Sequence, residues 1–224
     1  MPLITLEGVT KIYPPYFRAL NNISLSIEEP GEFVLLTGPT GAGKTTLLKL
    51  IYREEEATDG EIFWEGRPYS SLRYNDFLKI RRKMGIIFQD LKLFEDLSVY
   101  ENIKLSLDLA EINLPKKRAK VIIYDYLERF DLSLKANKKV KFLSGGEKQK
   151  VGFIRAIIKD PDYIIADEPT GNIDPLSIKE ILSILKELNQ KGKTVLLATH
   201  DPIIIQQVEA KEIYLHKGEL IPKC

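Results

Sequence analysis

A glycine-rich loop ending in lysine and threonine is the first segment whose residue types and spacing could do chemistry. The run Gly38-Pro39-Thr40-Gly41-Ala42-Gly43-Lys44-Thr45, followed by Thr46, matches the pattern G-x-x-x-x-G-K-[ST]. Glycines let such a loop curl so that backbone N–H groups converge on phosphate oxygens, and the next helix presents its N-terminus to the same anion. We predict that Lys44 reaches the β- and γ-phosphates of a nucleotide and that the Thr45 hydroxyl is a ligand of Mg²⁺. By itself the loop indicates only a phosphate-loop protein, a class that includes kinases, GTPases and motors.

Two carboxylates, Asp167 and Glu168, follow the apolar run Tyr163–Ala166. We predict that Asp167 faces the Mg²⁺ ion, because a hard cation prefers oxygen ligands. Glu168 could polarise the attacking water as a general base, a role typically worth ~10²–10⁴-fold in rate. Acidic residues that merely end a strand are common, so this interpretation depends on the phosphate loop.

A second anion site is indicated by the segment Leu143–Gln149, with the sequence LSGGEKQ. A serine hydroxyl, a glycine pair and a predicted helix N-terminus, at Ser144, Gly145 and Gly146, all favour an anion. The segment resembles the LSGGQ signature of the ATP-binding cassette (ABC) ATPases. That resemblance implies that two chains pair head to tail when ATP is bound, so that Ser144 and Gly146 contact the γ-phosphate held by the other chain.

Three further segments resemble motifs of the same family, in the family's order. Gln89, after Phe88, resembles the glutamine that senses Mg²⁺ and the attacking water, and His200 resembles the switch histidine that touches the γ-phosphate. Asp174 ends the run Gly171-Asn172-Ile173-Asp174, which resembles the loop through which the two subunits communicate. The resemblance therefore implies catalytic roles for Lys44, Gln89, Glu168 and His200. Taken alone, Gln89 and Asp174 would be ordinary surface residues, and His200 a hydrogen-bonded core histidine.

The resemblance also implies that an aromatic residue near the N-terminus stacks on the adenine ring. Tyr13 has the position of that residue in the family, although Tyr16 or Phe17 could take the role.

The run 166–174, with the sequence ADEPTGNID, is similar to a stretch of one branch of the family, which includes the LolD, MacB and FtsE ATPases. The runs 47–53, 84–90 and 198–201 are most similar to the FtsE group. This resemblance implies an FtsX-like integral membrane partner and a role in cell division. A lipoprotein-release or MacB-type export complex is the alternative.

The family receives its membrane subunit in a groove beside Gln89, which Leu91, Leu93 and Phe94 follow in this chain. These apolar residues could equally be core of a helical insertion.

The strands and helices that must position these residues are predicted from hydrophobic periodicity, since strands alternate every second residue and helices repeat about every 3.6 residues. Strands are predicted at Ile4–Tyr13, Ile23–Glu28, Phe33–Thr37, Glu61–Trp64 (as an edge strand), Met84–Phe88, Tyr163–Ala166 and Thr194–Thr199, with a hairpin at Ile213–Ile221 turning at Lys217-Gly218. Helices are predicted at Thr45–Tyr52, Tyr100–Ala110, Lys116–Phe130 and from the cap at Ser144 to Ile158.

This order predicts an α/β fold of the phosphate-loop NTPase type, with a mostly parallel core sheet and an N-terminal antiparallel β region. We expect one nucleotide-binding domain over 1–224, with its core at 1–89 and 161–224 and a helical subdomain inserted at about 90–160.

Composition and charge limit the partners and the cellular compartment that this chain could have. Lys and Arg total 33 and Asp and Glu 32, so a net charge of +1 argues against a nucleic-acid partner. Cys224 is the only cysteine, which fits a reducing compartment. No apolar run approaches the ~18–20 residues that cross a bilayer, and the N-terminus lacks the pattern of a secretory signal. We therefore expect a cytoplasmic protein held on the inner face of the cell membrane through its partner.

The sequence disfavours two other classes of nucleotide-binding protein. Soluble ABC proteins of DNA repair or translation usually carry a long coiled-coil insertion or two cassettes, and this chain has neither. A nucleotide binder that does not hydrolyse ATP is disfavoured by Glu168 and His200.

Overall fold

The computed structural model describes residues 2–28, 30–110, 114–171 and 174–222 of the chain. The strands in these ranges are β1 (Ile4–Tyr13), β2 (Phe17–Ile27), β3 (Phe33–Thr37), β4 (Asp59–Trp64), β5 (Arg67–Pro68), β6 (Met84–Ile87), β7 (Tyr163–Asp167), β8 (Thr194–Ala198), β9 (Lys211–His216) and β10 (Glu219–Ile221). The α-helices are α1 (Lys44–Ile51), α2 (Tyr74–Arg82), α3 (Val99–Leu109), α4 (Lys116–Arg129), α5 (Gly145–Ile157), α6 (Pro175–Gln190) and α7 (Pro202–Gln207).

The central sheet has six strands in the order β10-β9-β3-β8-β7-β6. All neighbours from β9 to β6 are parallel, and only β10 is antiparallel, to β9. Strands β3, β7 and β8 are buried along their whole length, as their continuous apolar sequences predict. The predicted hairpin is present, and Lys217 and Gly218 both have positive φ, which suits a two-residue turn.

A second, four-stranded sheet has the order β2-β1-β4-β5, and its pairs are antiparallel. The predicted antiparallel region is therefore present. The expectation that β4 is an edge strand is wrong, because Phe63 and Trp64 pair with the two residues of β5. Strand β2 also begins earlier than its alternating sequence indicated, because its first half pairs with the end of β1.

The central sheet separates two hydrophobic cores. Side chains alternate along β3, so that Phe33 and Leu35 join one core while Val34 and Leu36 join the other. Strands β7 and β8 divide their residues between the cores in the same way. This two-sided burial fixes the register of the parallel strands, and with it the position of the residues at their carboxyl ends.

Helices α3, α4 and α5 follow one another between β6 and β7, where the helical insertion was predicted. Their buried side chains, including Ile103, Leu127 and Phe153, share one hydrophobic cluster with the strand residues Phe33 and Ile164. Subdomain boundaries at about 90 and 160 remain a prediction. No helix in the described ranges is long and apolar enough to span a bilayer.

Candidate active site

The phosphate-loop sequence lies between β3 and α1, at the carboxyl end of a central strand. Gly38 has a φ of 142°, and a Cβ added there would lie 2.0 Å from the carbonyl oxygen of Leu215 on β9. Gly43 has a φ of 107°, and its added Cβ would lie 2.7 Å from the carbonyl oxygen of Ala19. Neighbouring backbone therefore presses on the loop so closely that only glycine fits at these two positions.

The side chain of Lys44 is held over this loop. Its Nζ donates to the carbonyl oxygen of Gly38 at 2.8 Å and to that of Pro39 at 3.2 Å. Lys44 is only 6% exposed, and its Nζ also lies 3.6 Å from Oε1 of Glu168. A buried cation is thus fixed where the loop sequence predicts phosphate binding.

A cavity of about 350 Å³ opens over the loop. The predicted site residues that line it are Thr40, Gly41, Ala42, Gly43, Lys44, Thr45, Thr46, Gln89, Glu168 and His200, joined by Phe17 and Ala19 of β2. The three proposed catalytic residues from outside the loop, Gln89, Glu168 and His200, therefore share one cavity with Lys44. These residues come from four separate segments of the chain, as a site at the carboxyl ends of parallel strands requires.

Glu168 is the centre of this arrangement. Its Oε1 lies 2.6 Å from Nδ1 of His200, and its Oε2 accepts a hydrogen bond of 3.3 Å from the hydroxyl of Thr199. Glu168 has a φ of 46°, a left-handed conformation that costs a residue other than glycine about 1–3 kcal/mol. Strain of this kind persists where the surrounding contacts over-determine it, and both carboxylate oxygens of Glu168 are held.

Asp167 precedes Glu168 at the end of β7 and is buried. Burial raises the pKa of its carboxyl group, and a hydrogen bond with Thr45 acts in the opposite direction. One of its oxygens, Oδ1, is buried without a hydrogen-bond partner. A buried carboxylate oxygen left without a partner is suited to a hard cation.

A second cavity, of about 380 Å³, adjoins the first, since Thr45 and Gln89 line both. Asp167 lines this second cavity together with Phe88 and Asp90. The three predicted metal ligands, Thr45, Gln89 and Asp167, thus surround one region. Within the described ranges no group of three or more His, Cys, Asp or Glu side chains could hold a metal ion. A magnesium ion here would have to take ligands from the nucleotide phosphates as well, which is its usual behaviour.

The aromatic residues of the first sheet lie at one end of the β1–β2 pair. Tyr13 is the Cα partner of Phe17 across the two strands, and Phe17, 63% exposed, lines the cavity over the phosphate loop. Tyr13 is not among the lining residues; the Nζ of Lys11 lies 5.0 Å from its ring centroid. Tyr16 is 91% exposed. The structure thus places Phe17 at the cavity and Tyr13 next to Phe17 on the neighbouring strand.

Ser144, Gly145 and Gly146 do not line the cavity of their own chain. Ser144 caps α5 as predicted: its hydroxyl accepts from the N–H of Glu147, whose side chain accepts from the N–H of Ser144. Glu147 also pairs with Lys135. Ser144 and Gly145 are exposed, and no atom lies within 4 Å of a Cβ built on Gly145. This helix N-terminus is therefore open to a group from outside the chain.

Asp174 has a definite structural role, and its part in communication between two subunits stays a prediction. It caps α6, accepting from the N–H groups of Leu176 and Ser177, each at 3.0 Å. The hydroxyl of Ser177 also donates to it at 2.6 Å, which lowers the pKa of the Asp174 carboxyl. Asn172 and Ile173 of the predicted communicating loop lie outside the described residues.

The apolar residues after Gln89 do not behave as one group. Leu93 packs against the core of the helical region, whereas Phe94 is 52% exposed. Of the two interpretations of this segment, core packing applies to Leu93 and an open surface to Phe94.

Two polar contacts of the site were not predicted. Thr199 is fully buried and holds Glu168, and Gln149 on α5 is buried and donates to the carbonyl oxygen of Pro169 at 2.6 Å. In the sequence, the available signal was a polar residue at a core-facing position: Thr199 directly after β8, and Gln149 on the helix side that carries Phe153.

Comparison with known proteins is consistent with this geometry. The family model described as ABC transporter matches residues 20–171. The cell division ATP-binding protein FtsE of Bacillus subtilis is 39% identical over 98% of this chain and 95% of its own length. An uncharacterized ABC transporter ATP-binding protein of Methanocaldococcus jannaschii is 41% identical, with 98% of each chain covered. Among solved structures, a dimeric post-hydrolysis state of the ATP-binding cassette MJ0796, bound to ADP and Pi, has a TM-score of 0.89 and 35% identity, covering 97% of this chain and 96% of that one.

Proposed function

The chain belongs to the ABC transporter family and is an ATP-binding ATPase subunit of that type; we propose that it acts as an FtsE-like subunit on an FtsX-like membrane protein in cell division. The proposal rests on the site itself and on relatives named FtsE in several bacteria, including Mycobacterium tuberculosis at 37% identity and Escherichia coli at 38%.

One observation carries the catalytic assignment: Glu168 shares a cavity with the phosphate loop and is held there by Lys44, Thr199 and His200. In the proposed reaction, Lys44 binds the β- and γ-phosphates, and the carboxylate of Glu168 takes a proton from the attacking water. His200 keeps Glu168 oriented and reaches the γ-phosphate. Gln89 lies at the junction of the two cavities, where it can orient the same water.

The second anion site requires a second chain. Ser144 and Gly146 do not line the cavity of their own chain, and Ser144 is exposed at a helix N-terminus. We propose that two chains pair head to tail, so that each γ-phosphate is bound by Lys44 of one chain and Ser144 of the other. Hydrolysis removes the shared phosphate, and the chains separate. The dimeric state of MJ0796 is consistent with this pairing.

Magnesium is proposed as the metal, held by Asp167, Thr45 and Gln89. The unpartnered Oδ1 of Asp167 supports this choice. When bound, the ion would neutralise charge on the β- and γ-phosphates. The chain's own contribution is to keep the Asp167 carboxylate and the Thr45 hydroxyl hydrogen-bonded to each other in the second cavity, which Gln89 also lines.

The place of action follows from the partner. We propose a cytoplasmic protein attached to the inner face of the membrane through its FtsX-like subunit, with no nucleic-acid partner. The ATPase of a lipoprotein-release or MacB-type export complex is the alternative in the same family. Purifying the tagged protein from solubilised native membranes and identifying its membrane partner decides between them: an FtsX-like protein supports the proposal, and a lipoprotein-handling protein supports the alternative.

The enzymatic proposal is tested with Glu168→Gln. This variant should bind ATP, lose ~10²–10⁴-fold in turnover, and elute as a dimer only when ATP is present. In the double variant with Lys44→Ala, the free energy of ATP binding should weaken by about 2–5 kcal/mol, because the phosphates lose a buried charged donor. The ATP-dependent dimer should then disappear. Glu209→Gln, at an exposed carboxylate, is the matched control. Normal hydrolysis by Glu168→Gln would refute the role of Glu168 as general base.

A further inference from the structure

The guanidinium group of Arg155, on α5, donates hydrogen bonds to two consecutive backbone carbonyls just after Gln89. Nη2 donates to the oxygen of Leu91 at 2.5 Å, and Nη1 donates to that of Lys92 at 2.6 Å. The planar fork of arginine can serve two neighbouring acceptors at once, which the single ammonium of lysine does less well.

The two residues held in this way have strained backbones. Leu91 has a φ of 58° and Lys92 a φ of 45°, so two consecutive residues other than glycine are left-handed. This conformation costs roughly 1–2 kcal/mol per residue. Two hydrogen bonds within the loop partly offset this cost. The N–H of Leu91 donates to the carbonyl oxygen of Phe88 at 3.0 Å, and the N–H of Lys92 donates to the carbonyl oxygen of Asp90 at 2.7 Å. Arg155 adds two contacts from outside the loop.

Helix α5 also fits the loop sterically. A Cβ added to Gly152, one turn before Arg155, would lie 3.2 Å from Cδ2 of Leu91. Residues three apart share a helix face, so Gly152 and Arg155 contact Leu91 from the same face of α5: Gly152 lies against its side chain, and Arg155 donates to its carbonyl oxygen. Two residues after Lys92, Phe94 is held by the buried side chain of Asn102. This side chain accepts from the N–H of Phe94 at 2.9 Å and donates to the carbonyl oxygen of Phe94 at 3.0 Å. The chain after Gln89 is therefore fixed at both 91–92 and 94.

We infer that Arg155 is a positioning residue for ATP hydrolysis, which holds Leu91 and Lys92 in their left-handed conformations and thereby keeps Gln89 in the wall of the catalytic cavity. The inference rests on the proposed function of that cavity. Helix α5 then has a second role. This helix, which presents Ser144 at its N-terminus, contacts the segment after Gln89 through Arg155, so the two motifs are joined by one rigid element.

A double-mutant cycle tests whether Arg155 acts through Gln89. Arg155→Lys should lower kcat by about 10-fold to 100-fold, the usual effect of removing a residue that orients a functional group, while KM for ATP stays nearly unchanged. In a Gln89→Ala background, Arg155→Lys should cause almost no further loss, because the group that it positions is already absent. Arg129→Lys is the matched control, since Arg129 forms an exposed ion pair with Glu187 far along the chain from the loop.

Two kinetic results would overturn the inference: unchanged kcat in Arg155→Lys, or an equal loss in both backgrounds, which would indicate a general structural role. If the purified wild-type chain hydrolyses no ATP, the failure lies with the proposed function, and backbone hydrogen exchange decides about Arg155. Amides of residues 88–92 should then exchange about tenfold faster in Arg155→Lys than in Arg129→Lys. Equal exchange rates in the two variants would overturn the inference without any measurement of activity.

Discussion

The Nδ1 atom of His200 lies 2.6 Å from Oε1 of Glu168, although 32 positions separate the two residues in the sequence. They come together because β7 and β8 are parallel neighbours, with Asp167 paired to Ala198 at their carboxyl ends. An ionised carboxylate only accepts hydrogen bonds, so with Glu168 as a carboxylate the donor in this contact is the Nδ1–H tautomer of His200. With Thr199 on the other oxygen, the Glu168 carboxylate is held on both sides.

His200→Ala removes one of these two contacts and the expected contact with the γ-phosphate. We expect kcat to fall by ~10²–10³-fold, the range for losing one preorganised donor, with a smaller change in ATP affinity. Steady-state kinetics and equilibrium ATP binding separate the two effects. His216 is the chain's other histidine and lies on β9, so His216→Ala is the matched control. Comparable losses in the two variants would contradict the assignment.

Tyr13 and Phe17 are the two main candidates for the residue that stacks on adenine. Stacking of a base on an aromatic side chain is worth ~1–3 kcal/mol in alanine substitutions. One of Tyr13→Ala and Phe17→Ala should therefore weaken ATP binding by roughly 5-fold to 150-fold, while the other should have little effect. Tyr16→Ala, at the third candidate, is tested beside them, and Tyr74→Ala, at an aromatic residue of α2 that is 75% exposed, is the control. If none of the three weakens binding, no aromatic of this segment stacks on adenine.

Gly38→Ala should destabilise the fold more than Gly41→Ala. Both glycines have positive φ, so alanine at either position carries a strain of about 1–3 kcal/mol. At Gly38 the new Cβ would also meet the carbonyl oxygen of Leu215 at 2.0 Å, whereas nothing lies within 4 Å of one at Gly41. Urea unfolding of the two variants measures the difference. Equal destabilisation would show that the contact with Leu215 relaxes at no cost.

Glu187 should make stability depend on pH in the acid range. Its carboxylate accepts from Lys191 and from Arg129 of α4, and these bonds lower its pKa from 4.5 to about 2. A carboxyl with a depressed pKa in the folded state stabilises the protein above pH 4.5, and this stabilisation is lost as the pH falls toward about 2. The wild type should therefore exceed Glu187→Gln in unfolding free energy at pH 7, and the difference should shrink between pH 4.5 and 2.5. A difference that stays constant with pH would contradict this assignment.

Several features of the fold and site were predictable because they are encoded in short runs of sequence. The phosphate loop, the acidic pair at the end of β7 and the cap at Ser144 each depend on neighbouring residues alone. The same holds for β3 and β8, whose unbroken apolar runs indicate burial on both faces, and for the turn at Lys217-Gly218, where both residues must adopt positive φ.

The sequence by itself thus determined the chemical groups, the elements that carry them and, through the segment at Ser144, the family. Only the tertiary structure decided which groups meet: Thr199 on Glu168, Gln149 on Pro169, Phe17 in the cavity and Arg155 on Leu91. These contacts join positions far apart in the chain, and they depend on strand order and helix placement. Hydrophobic periodicity shows which face of an element is buried, but it does not show which other element covers that face.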